Sequence, residues 1–379
     1  MRLLFLLTGA RAFSQPFQEW KTKHGITYED AEQFEERFAV WTSNDVDIQA
    51  HNDADEHTFT LGHNQFSDLT SEEFAYLHLG GYAHRPGLLS MFEGRVYWPE
   101  KNGSVDAIDW RDHGIVGAVR NQGQCGSCWA HAAVETIESL VAQKTEKLVE
   151  LSVQSLVSCD KVDSGCSGGL PDNAYTFVRR HGLPAEDNYP YTSGSGGDDG
   201  SCHDTSVYAV SPATVTGFKD VPQNDEEVLR SVISEHPVSV AVDATKWQFY
   251  HGGVFNHEDC GKRLNHAVQI VGYNQDGKYY IVRNSWGTTY GEDGYIRVVM
   301  DHDMCGISQS ASFPTIAEEE HGSENSEEES VEATGWWDWF WWDWFGVGDE
   351  DDRLFWTVTT EYEEPVLLHG YEKPLVDAF

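Results

Sequence analysis

The chain has 379 residues, 40% of them hydrophobic, which is enough for two or three domains with a sizeable core. It carries 25 Lys and Arg against 63 Asp and Glu, a formal net charge of −38. Nucleic acids and anionic membranes are also negative, so this balance argues against both as partners. No stretch reaches the roughly 20 apolar residues that a membrane-spanning helix needs.

Residues 1–12 resemble a secretory signal. Arg2 precedes the apolar run Leu3–Leu7, and Ala10 and Ala12 form an Ala-x-Ala ending. Because the run is shorter than usual, the alternative interpretations are a clipped signal and a buried N-terminal segment. A glycosylation sequon at Asn102 also favours the secretory route, and with it the lysosome, a vacuole or export from the cell.

Residues 13–79 are predicted to form a small helical unit. Its apolar side chains recur at intervals of three, four or seven, as they do along one face of a helix. The residues in this stripe are Phe34, Phe38, Trp41 and Ile48. Residues 80–103 lose the period and contain Gly, Pro and scattered aromatics, which predicts an exposed connector that a protease can cut.

Residues 104–316 change from a helical to a strand-like pattern, so the predicted fold class is α+β. A helix is expected from Cys128 to Val141, after a turn rich in glycine. Later apolar segments are short, β-branched or aromatic, and bounded by Gly, Asp or Asn. They are Val238–Val242, His266–Val271, Tyr279–Val282 and Tyr295–Val299. Residues 193–201, rich in Gly and Ser, are expected to form a flexible surface loop.

Residues 317–379 differ from the rest in composition, with 19 Asp and Glu, 2 Lys and Arg, and half of the 14 Trp. Trp336–Phe340 repeats as Trp341–Phe345, and a period of five gives neither a strand nor a helix one clean apolar face. One hypothesis is a disordered appendage that is trimmed, or a mispredicted gene end. The other is an interaction tail that docks on a protein groove or membrane interface at low pH.

The chain has seven cysteines, so six can pair and one must stay free. The odd cysteine is either an intermolecular linker or a reactive thiol. Cys128 is the candidate, because it follows a Gly-rich turn and begins the expected helix, and a helix N-terminus favours the thiolate. His266 and Asn284 lie far downstream, in strand-like settings that let the fold bring them to the cysteine.

Four sequence blocks in order resemble the papain and cathepsin L-like cysteine proteases. They are Cys125-Gly-Ser-Cys128-Trp129, Gly165-Cys-Ser-Gly-Gly169, Asn265-His266-Ala267 and Asn284-Ser-Trp286-Gly. The resemblance covers residues 16–316. It implies a monomeric enzyme with a helical left domain and a β-barrel-like right domain, which hydrolyses peptide bonds through a thioester without a metal or organic cofactor.

The resemblance also implies a role for each residue of the site. Cys128 would be the nucleophile, His266 its proton partner, and Asn284 the group that orients the imidazole. Trp286 would shield the His266–Asn284 hydrogen bond from water. Gln122 would stabilise the oxyanion together with the backbone N–H of Cys128.

Substrate selection in such enzymes depends on the pocket for the second residue on the acyl side of the cut. The implied pocket is mostly apolar, which predicts Leu, Val or Phe there rather than Arg. Its walls would be Leu170, Pro171, Ala241, Leu264 and Ser310, with Gly168, Gly169 and Asn265 also in the substrate-binding site. No long histidine-bearing insertion of the cathepsin B type is present, so endopeptidase activity is expected.

The same resemblance implies that the pairs Cys125–Cys166, Cys159–Cys202 and Cys260–Cys305 leave Cys128 free. It further implies that the helical unit is an inhibitory propeptide. The matching residues are Arg37, Trp41, Asn44, Ile48 and Asn52, followed by Gly62, Asn64, Phe66 and Asp68. Such a propeptide covers the cleft until acid weakens its carboxylate contacts and the connector is cut. Expected partners are peptide substrates, the propeptide itself and cystatin-type inhibitors.

Three positions depart from the family pattern. His131 replaces a usual Phe and is either a second titrating group near the thiol or a packed aromatic substitute. Val153 and Tyr290 replace a Glu and a Trp.

Alternative functions are a transpeptidase or ligase, in which an amine outcompetes water at the same site, and a non-catalytic binding protein of the same fold.

Overall fold

A computed structural model describes residues 15–54, 57–80, 82, 96–99, 105–203, 207–212 and 214–317. The chain divides into two compact units, residues 1–320 and 321–379, and every described residue belongs to the first. The expected signal, most of the 80–103 connector and all but the first residue of the tail lie outside the described residues. Within the described part, no helix has the length and apolar character needed to cross a membrane.

The N-terminal part is helical, as its apolar stripe predicts. Its elements are α1 (residues 15–23), α2 (Ala31–Asp53), β1 (Phe59–Leu61) and α3 (Ser71–His78). The Asp30 side chain starts α2 by accepting the N–H of Gln33, and Thr70 and Glu73 form a reciprocal capping box at the start of α3. An aromatic cluster around the fully buried Phe17 packs α1 against α2.

Polar side chains of α2 fasten it to the segment that leads into α3. Arg37 forms a two-pronged ion pair with Glu73, at 2.8 and 2.9 Å, and also donates to the carbonyl of Asp68 at 3.0 Å. The Asn44 amide donates to the carbonyls of Ser67 and Leu69, at 2.9 and 3.0 Å. These buried and half-buried contacts explain why a propeptide motif combines Arg and Asn with apolar residues on one helix.

Four further helices follow in chain order. They are α4 (Cys128–Thr145), α5 (Val153–Cys159), α6 (Pro171–His181) and α7 (Glu226–Glu235). α4 is four residues longer than predicted and is buried on nearly all sides. One side packs into the helical core with α5 and α6, and the other meets the sheet, where Thr136 Oγ1 lies 2.8 Å from Ser239 Oγ and Gln269 donates to the Glu135 carbonyl.

The remaining strands complete a mixed sheet, which confirms the α+β fold class. They are β2 (Ala107–Asp109), β3 (Val215–Asp220), β4 (Val238–Val242), β5 (Tyr250–Phe255), β6 (His266–Asn274), β7 (Tyr279–Arg283), β8 (Tyr295–Val299) and β9 (Ala311–Ile316). The order is β1-β5-β8-β7-β6-β4-β9-β3, with β2 also paired to β6. β5 and β8 are parallel and the other pairs antiparallel. The N-terminal β1 thus extends the sheet of the following domain.

The structure contains the three disulfides that the resemblance implied, Cys125–Cys166, Cys159–Cys202 and Cys260–Cys305. Cys128 is the free cysteine. With every cysteine assigned, the choice between a linker and a reactive thiol favours the thiol, because Cys128 is fully buried and cannot reach another chain.

Residues 193–201 are held more firmly than their composition indicates. The Gln154 side chain accepts the N–H of Ser193 at 3.0 Å and donates to the carbonyl of Asp199 at 3.1 Å. The carbonyl of Gly194 accepts the N–H of Gln124 at 2.9 Å. A Cβ on Gly123, whose φ is +62°, would lie 2.1 Å from that carbonyl oxygen, so only glycine fits this turn.

Candidate active site

Cys128 is the first residue of α4, where the backbone N–H groups of the first turn lack partners within the helix. The N–H groups of Cys128, Trp129 and Ala267 all point towards its sulfur and favour the thiolate. Complete burial outweighs them and raises the pKa of the thiol to about 12. In this closed form of the protein, burial therefore favours the protonated thiol of Cys128.

His266 begins β6, immediately before the Ala267 N–H that faces the sulfur. Its Nε2 lies 2.8 Å from Asn284 Oδ1, which also accepts the N–H of Ser285 at 2.8 Å. Because an amide oxygen only accepts, Nε2 carries the proton. Nδ1 has no hydrogen-bond partner among the described residues and is the nitrogen left for the thiol. Burial lowers the pKa of His266 to about 4.

Trp286 covers the imidazole of His266. The two rings stack with centroids 4.7 Å apart and planes 24° from parallel, and both side chains are fully buried. Phe66 and Phe74 of the N-terminal part meet the indole edge-on, at 5.5 and 5.3 Å. The His266–Asn284 hydrogen bond is thus kept from water by Trp286, which is itself covered by the N-terminal part.

Gln122 is held at the start of α4 by its backbone and its side chain. Its N–H donates to the carbonyl of Ser285, and its Oε1 accepts from the Ser285 hydroxyl, both at 2.8 Å. Its Nε2 donates to the carbonyl of Cys125 at 3.0 Å and, more weakly, to that of His78 at 3.4 Å. The last residue of α3 therefore presents a carbonyl to the amide that the resemblance assigns to the oxyanion.

The side chain of Tyr82 fills a small apolar pocket beside the thiol. The pocket residues in this cluster are Cys128, Ala132, Leu170, Ala241, Leu264 and Ala267. The Tyr82 hydroxyl lies 2.6 Å from Ser310 Oγ, and the Tyr82 backbone pairs in parallel with Gly169. Nearby, the N–H of Gly80 donates to the carbonyl of Asn265 at 2.8 Å.

Six of the eight predicted substrate-binding residues therefore either bond to the connector of the same chain or share the buried cluster of Tyr82. They are Gly169, Leu170, Ala241, Leu264, Asn265 and Ser310. Gly168 and Pro171 adjoin them in sequence, and Pro171 begins α6. Ala132 and Ala267 belong to the pocket as well but were not predicted, because neither residue type carries a sequence signal.

The N-terminal part is fixed to the wall beside Trp286 by side-chain amides. Gln65 Nε2 donates to the Trp286 carbonyl at 2.6 Å, and Gln65 Oε1 accepts from Thr289 at 2.8 Å. Asn64 donates to the carbonyl of Gln248, also at 2.6 Å. Together with the pairing of β1 and β5, these contacts anchor a segment that covers the whole site.

His131 is a buried, uncharged ring behind the site. Burial lowers the pKa of His131 well below its ordinary value, and the nearby Arg120 and Arg283 lower it further. The ring packs edge-on against Tyr191 at 5.0 Å, and neither nitrogen has a hydrogen-bond partner in the described part of the chain. This geometry favours the packed aromatic substitute over the second titrating group.

Sequence reasoning missed three residues that shape the site. Ser285 fixes both Gln122 and Asn284, and its place between Asn284 and Trp286 was a signal for this role. Tyr82 and His78 occupy the cleft from the connector and α3, where no motif marked them. Among the described residues, no group of three His, Cys, Asp or Glu side chains is arranged to hold a metal ion.

Comparisons with known proteins agree with this geometry. The model of the papain family cysteine protease matches residues 104–315, and that of the cathepsin propeptide inhibitor domain matches residues 17–74. Procathepsin L of Rattus norvegicus is 39% identical over 323 residues, which is 81% of this chain and 93% of that protein. Fruit bromelain of Ananas comosus is 39% identical over 311 residues, 79% of this chain and 86% of that protein.

Solved proenzymes share the fold. A recombinant stem bromelain precursor matches with a TM-score of 0.73 and 36% identity, over 80% of this chain and 99% of that chain. A digestive procathepsin L 3 from Tenebrio molitor larval midgut gives a TM-score of 0.72 and 33% identity over the same shares. The chain belongs to the papain family of cysteine proteases and is a cathepsin L-like proenzyme, a peptide-bond hydrolase with its own N-terminal inhibitor domain.

Proposed function

We propose that Cys128, His266 and Asn284 perform the hydrolysis. The observation that carries this assignment is the Nε2–Oδ1 hydrogen bond of 2.8 Å, which leaves Nδ1 of His266 for the one free thiol among the described residues. The Cys128 sulfur attacks the peptide carbonyl carbon, and protonated His266 gives its proton to the departing amine. Water then attacks the thioester while His266 takes a proton from it, which frees the thiol.

The negative oxygen formed in each attack needs hydrogen-bond donors aimed at its position. We propose the Gln122 amide and the backbone N–H of Cys128 for this role. Their support is the fixed orientation of Gln122, whose Oε1 is held by Ser285 so that Nε2 faces the cleft. In the proenzyme the His78 carbonyl takes one of these donors.

We propose that the closed proenzyme is inactive for an electrostatic reason as well as a steric one. Burial raises the pKa of Cys128 to about 12 and lowers that of His266 to about 4, so neither group is charged at neutral pH. We propose that departure of the propeptide rehydrates the pair. The backbone N–H donors at the start of α4 then favour the thiolate, and the thiolate favours the protonated imidazole.

Acid is expected to release the propeptide mainly through histidines. Burial is the largest cause lowering the pKa of His24, His51, His63 and His78 below the ordinary value of 6.5. An unfolded chain binds these protons near pH 6.5, whereas the folded propeptide resists them. Stability is therefore fully present above that pH and is lost as the pH falls towards the lowered values.

The carboxylate contacts of the propeptide weaken only at a lower pH than the histidines do. The hydrogen bond from Arg37 lowers the pKa of Glu73 below its ordinary 4.5, so this ion pair contributes stability above that value and loses it only below. Burial raises the pKa of Asp68, so protonation does not weaken the propeptide there. The expected weakening of carboxylate contacts thus applies only to the most acidic conditions.

Replacing His78 with glutamine should lower the pH at which the proenzyme is processed. His78 is 8% exposed and burial lowers its pKa to about 4, so protonation of the unfolded state costs the folded propeptide about 2 kcal/mol at pH 5. Glutamine does not titrate, so it removes this acid-dependent loss of propeptide stability. The fraction of full-length chain cut after incubation across a pH series measures the midpoint. His302→Gln, an exposed histidine of the peptidase part, should leave it unchanged, and an equal midpoint for His78→Gln and wild type would contradict the argument.

We propose that the enzyme is an endopeptidase that prefers a bulky apolar residue at the second acyl-side position. The support is the pocket around Tyr82, where an aromatic side chain shares a buried apolar cluster with Leu170 and Leu264 while its hydroxyl reaches Ser310. A cationic side chain there would lose water without gaining a paired charge. A leucine or phenylalanine gains apolar burial instead.

Fluorogenic peptides that differ only at this position test the preference. Leu, Val or Phe should exceed Arg in kcat/KM by at least about tenfold, the factor expected from burying an apolar side chain. Ser310→Glu provides the matched control, because a carboxylate at the end of the pocket should improve Arg and leave Leu less affected. Equal or faster cleavage of the Arg peptide by the wild type would overturn the preference.

We propose that the enzyme travels the secretory pathway to a lysosome or vacuole, or out of the cell. Three disulfides require an oxidising route for folding. We further propose that the mature enzyme is monomeric and that cystatin-type inhibitors fit the cleft that the propeptide vacates. Fractionation of cells for the processed chain distinguishes the compartments.

A further inference from the structure

Two carboxyl groups lie behind the segment that pairs with Tyr82 through an isolated β-bridge at Gly169. Asp160 caps the C-terminus of α5 and is 3% exposed, and the half-buried Asp163 follows three residues later. The disulfide-bonded Cys159 and Cys166 bracket this short segment. The two carboxyls are therefore held close together by the covalent structure as well as by packing.

Each carboxyl has one satisfied and one unsatisfied oxygen. Asp163 Oδ1 accepts the N–H of Leu170 at 3.1 Å and the side-chain amide of Asn173 at 2.8 Å. Asp160 Oδ1 accepts the N–H of Val162 at 2.9 Å. The Oδ2 atoms of both carboxyls are buried and have no donor among the described residues. The two side chains contact each other.

One proton between the carboxyls would satisfy both remaining oxygens. A protonated carboxyl donates one hydrogen bond, and an ionised neighbour accepts it. Burial is the largest cause raising the pKa of each group, and the charge of Asp160 adds to the effect on Asp163. The carbonyls at the end of α5 also disfavour a second negative charge. His181, at the end of α6, offsets this in part for Asp160, and Lys161 and Arg180 line the same cavity as Asp160.

Asp163 touches the backbone that holds a peptide in the cleft. A Cβ on Gly169 would lie 2.6 Å from Asp163 Cγ, so the carboxyl packs directly beneath this glycine. Gly169 pairs with the Tyr82 backbone, and the next residue, Leu170, lines the apolar pocket and donates its N–H to Asp163. The position of the Gly169–Leu170 segment therefore depends on the hydrogen bonds of Asp163.

We propose that Asp163 is a positioning residue for substrate binding, and that a proton shared with Asp160 keeps the Gly169–Leu170 segment in its binding shape. This inference rests on the proposed function, because it assigns these residues to the peptide-binding wall. When the shared proton leaves at higher pH, two negative charges face each other and the Gly169–Leu170 segment shifts. KM then rises, whereas kcat depends on Cys128 and His266 and follows their own titration.

Asp163→Asn is the deciding variant, measured in the acid-activated enzyme. The amide oxygen still accepts from Leu170 and the NH₂ group donates to Asp160, so the amide replaces the shared proton at every pH. In the wild type, KM for an apolar peptide should rise roughly fivefold between about pH 5 and about pH 8.5, the loss expected for one hydrogen bond. In Asp163→Asn, KM should stay flat over this range.

Two further variants complete the experiment. Asp163→Ala removes the acceptor for Leu170 and should raise KM at every pH, with a smaller effect on kcat. The exposed Asp187→Asn is the matched control and should keep the wild-type profile. If Asp163→Asn does not fold, Asp160→Asn supplies the same amide donor from the other side and should also flatten the KM profile.

The outcomes separate this proposal from the proposed function. Labelling with a thiol-directed epoxide reports whether Cys128 is the nucleophile, independently of KM. If Cys128 is labelled and the KM profile of Asp163→Asn still follows the wild type, the positioning role is wrong and the catalytic assignment stands. If Cys128 is not labelled in an active enzyme, the catalytic assignment itself fails.

Discussion

Replacing Cys128 with alanine should abolish hydrolysis and leave the proenzyme at full length in acid. Without the sulfur there is no nucleophile, and removal of such a residue costs at least about 10⁴-fold in rate. Cys128 packs among small apolar residues such as Ala132 and Ala267, so alanine should not disturb the fold. Gel analysis after acid incubation and hydrolysis of an apolar peptide measure the loss.

A matched control lies one turn further along α4. His131→Phe should retain activity and the wild-type acid limb of the pH profile, because His131 is a packed, uncharged ring. Added wild-type mature enzyme should still cut the Cys128→Ala proenzyme, which shows that its connector remains a substrate. Processing of Cys128→Ala on its own, in the absence of any other protease, would contradict the assignment of the nucleophile.

Replacing Phe74 with alanine should give a proenzyme that leaks activity at neutral pH. Phe74 is fully buried and lies 5.2 Å from the Phe66 ring and 5.3 Å from that of Trp286. Truncating such a side chain costs about 3–5 kcal/mol through lost packing and the cavity left behind. Phe74 lies in the N-terminal part and Trp286 in the peptidase, so their contact joins the two parts. Most of the lost free energy should therefore weaken the binding of the N-terminal part over the cleft.

Two measurements, made in two protein backgrounds, separate leaked activity from propeptide stability. Hydrolysis of a short peptide by the uncut chain at neutral pH reports the leak. Thermal unfolding in the Cys128→Ala background reports propeptide stability without interference from cleavage. Tyr76→Ala is the control in the same helix, since Tyr76 is 86% exposed and should change neither quantity. A Phe74→Ala proenzyme with wild-type stability and no activity at neutral pH would show that closure of the cleft does not depend on this aromatic contact.

Sequence reasoning succeeded where local chemistry dictates structure. The Gly-rich turn before Cys128 predicted the start of α4, and β-branched runs predicted β4 and β8 with correct bounds. It did not predict β5, because Tyr250–Phe255 contains two glycines and has no alternation, and its pairing with the distant β1 and β8 stabilises it instead. Strands of this kind depend on partners that a local pattern cannot reveal.

In the candidate site, too, some residues were predictable from the sequence and others were not. The resemblance supplied Gln122, His266 and Asn284, and the structure brings them to one end of α4. The occupation of the pocket by Tyr82 was not predictable, because the connector has no periodic pattern and its contacts are long-range. Nor was the pairing of Asp160 with Asp163, since their significance comes from burial behind Gly169 rather than from spacing.

All seven cysteines lie at or beyond Cys125, so no disulfide ties the propeptide to the peptidase. Once the connector is cut, the two parts become separate molecules. The inhibitor then competes at its actual concentration instead of the millimolar effective concentration that a short tether provides. Dilution after cleavage therefore favours the active enzyme, while confinement in a small vesicle favours recapture, so the volume of the compartment becomes part of the control of activity.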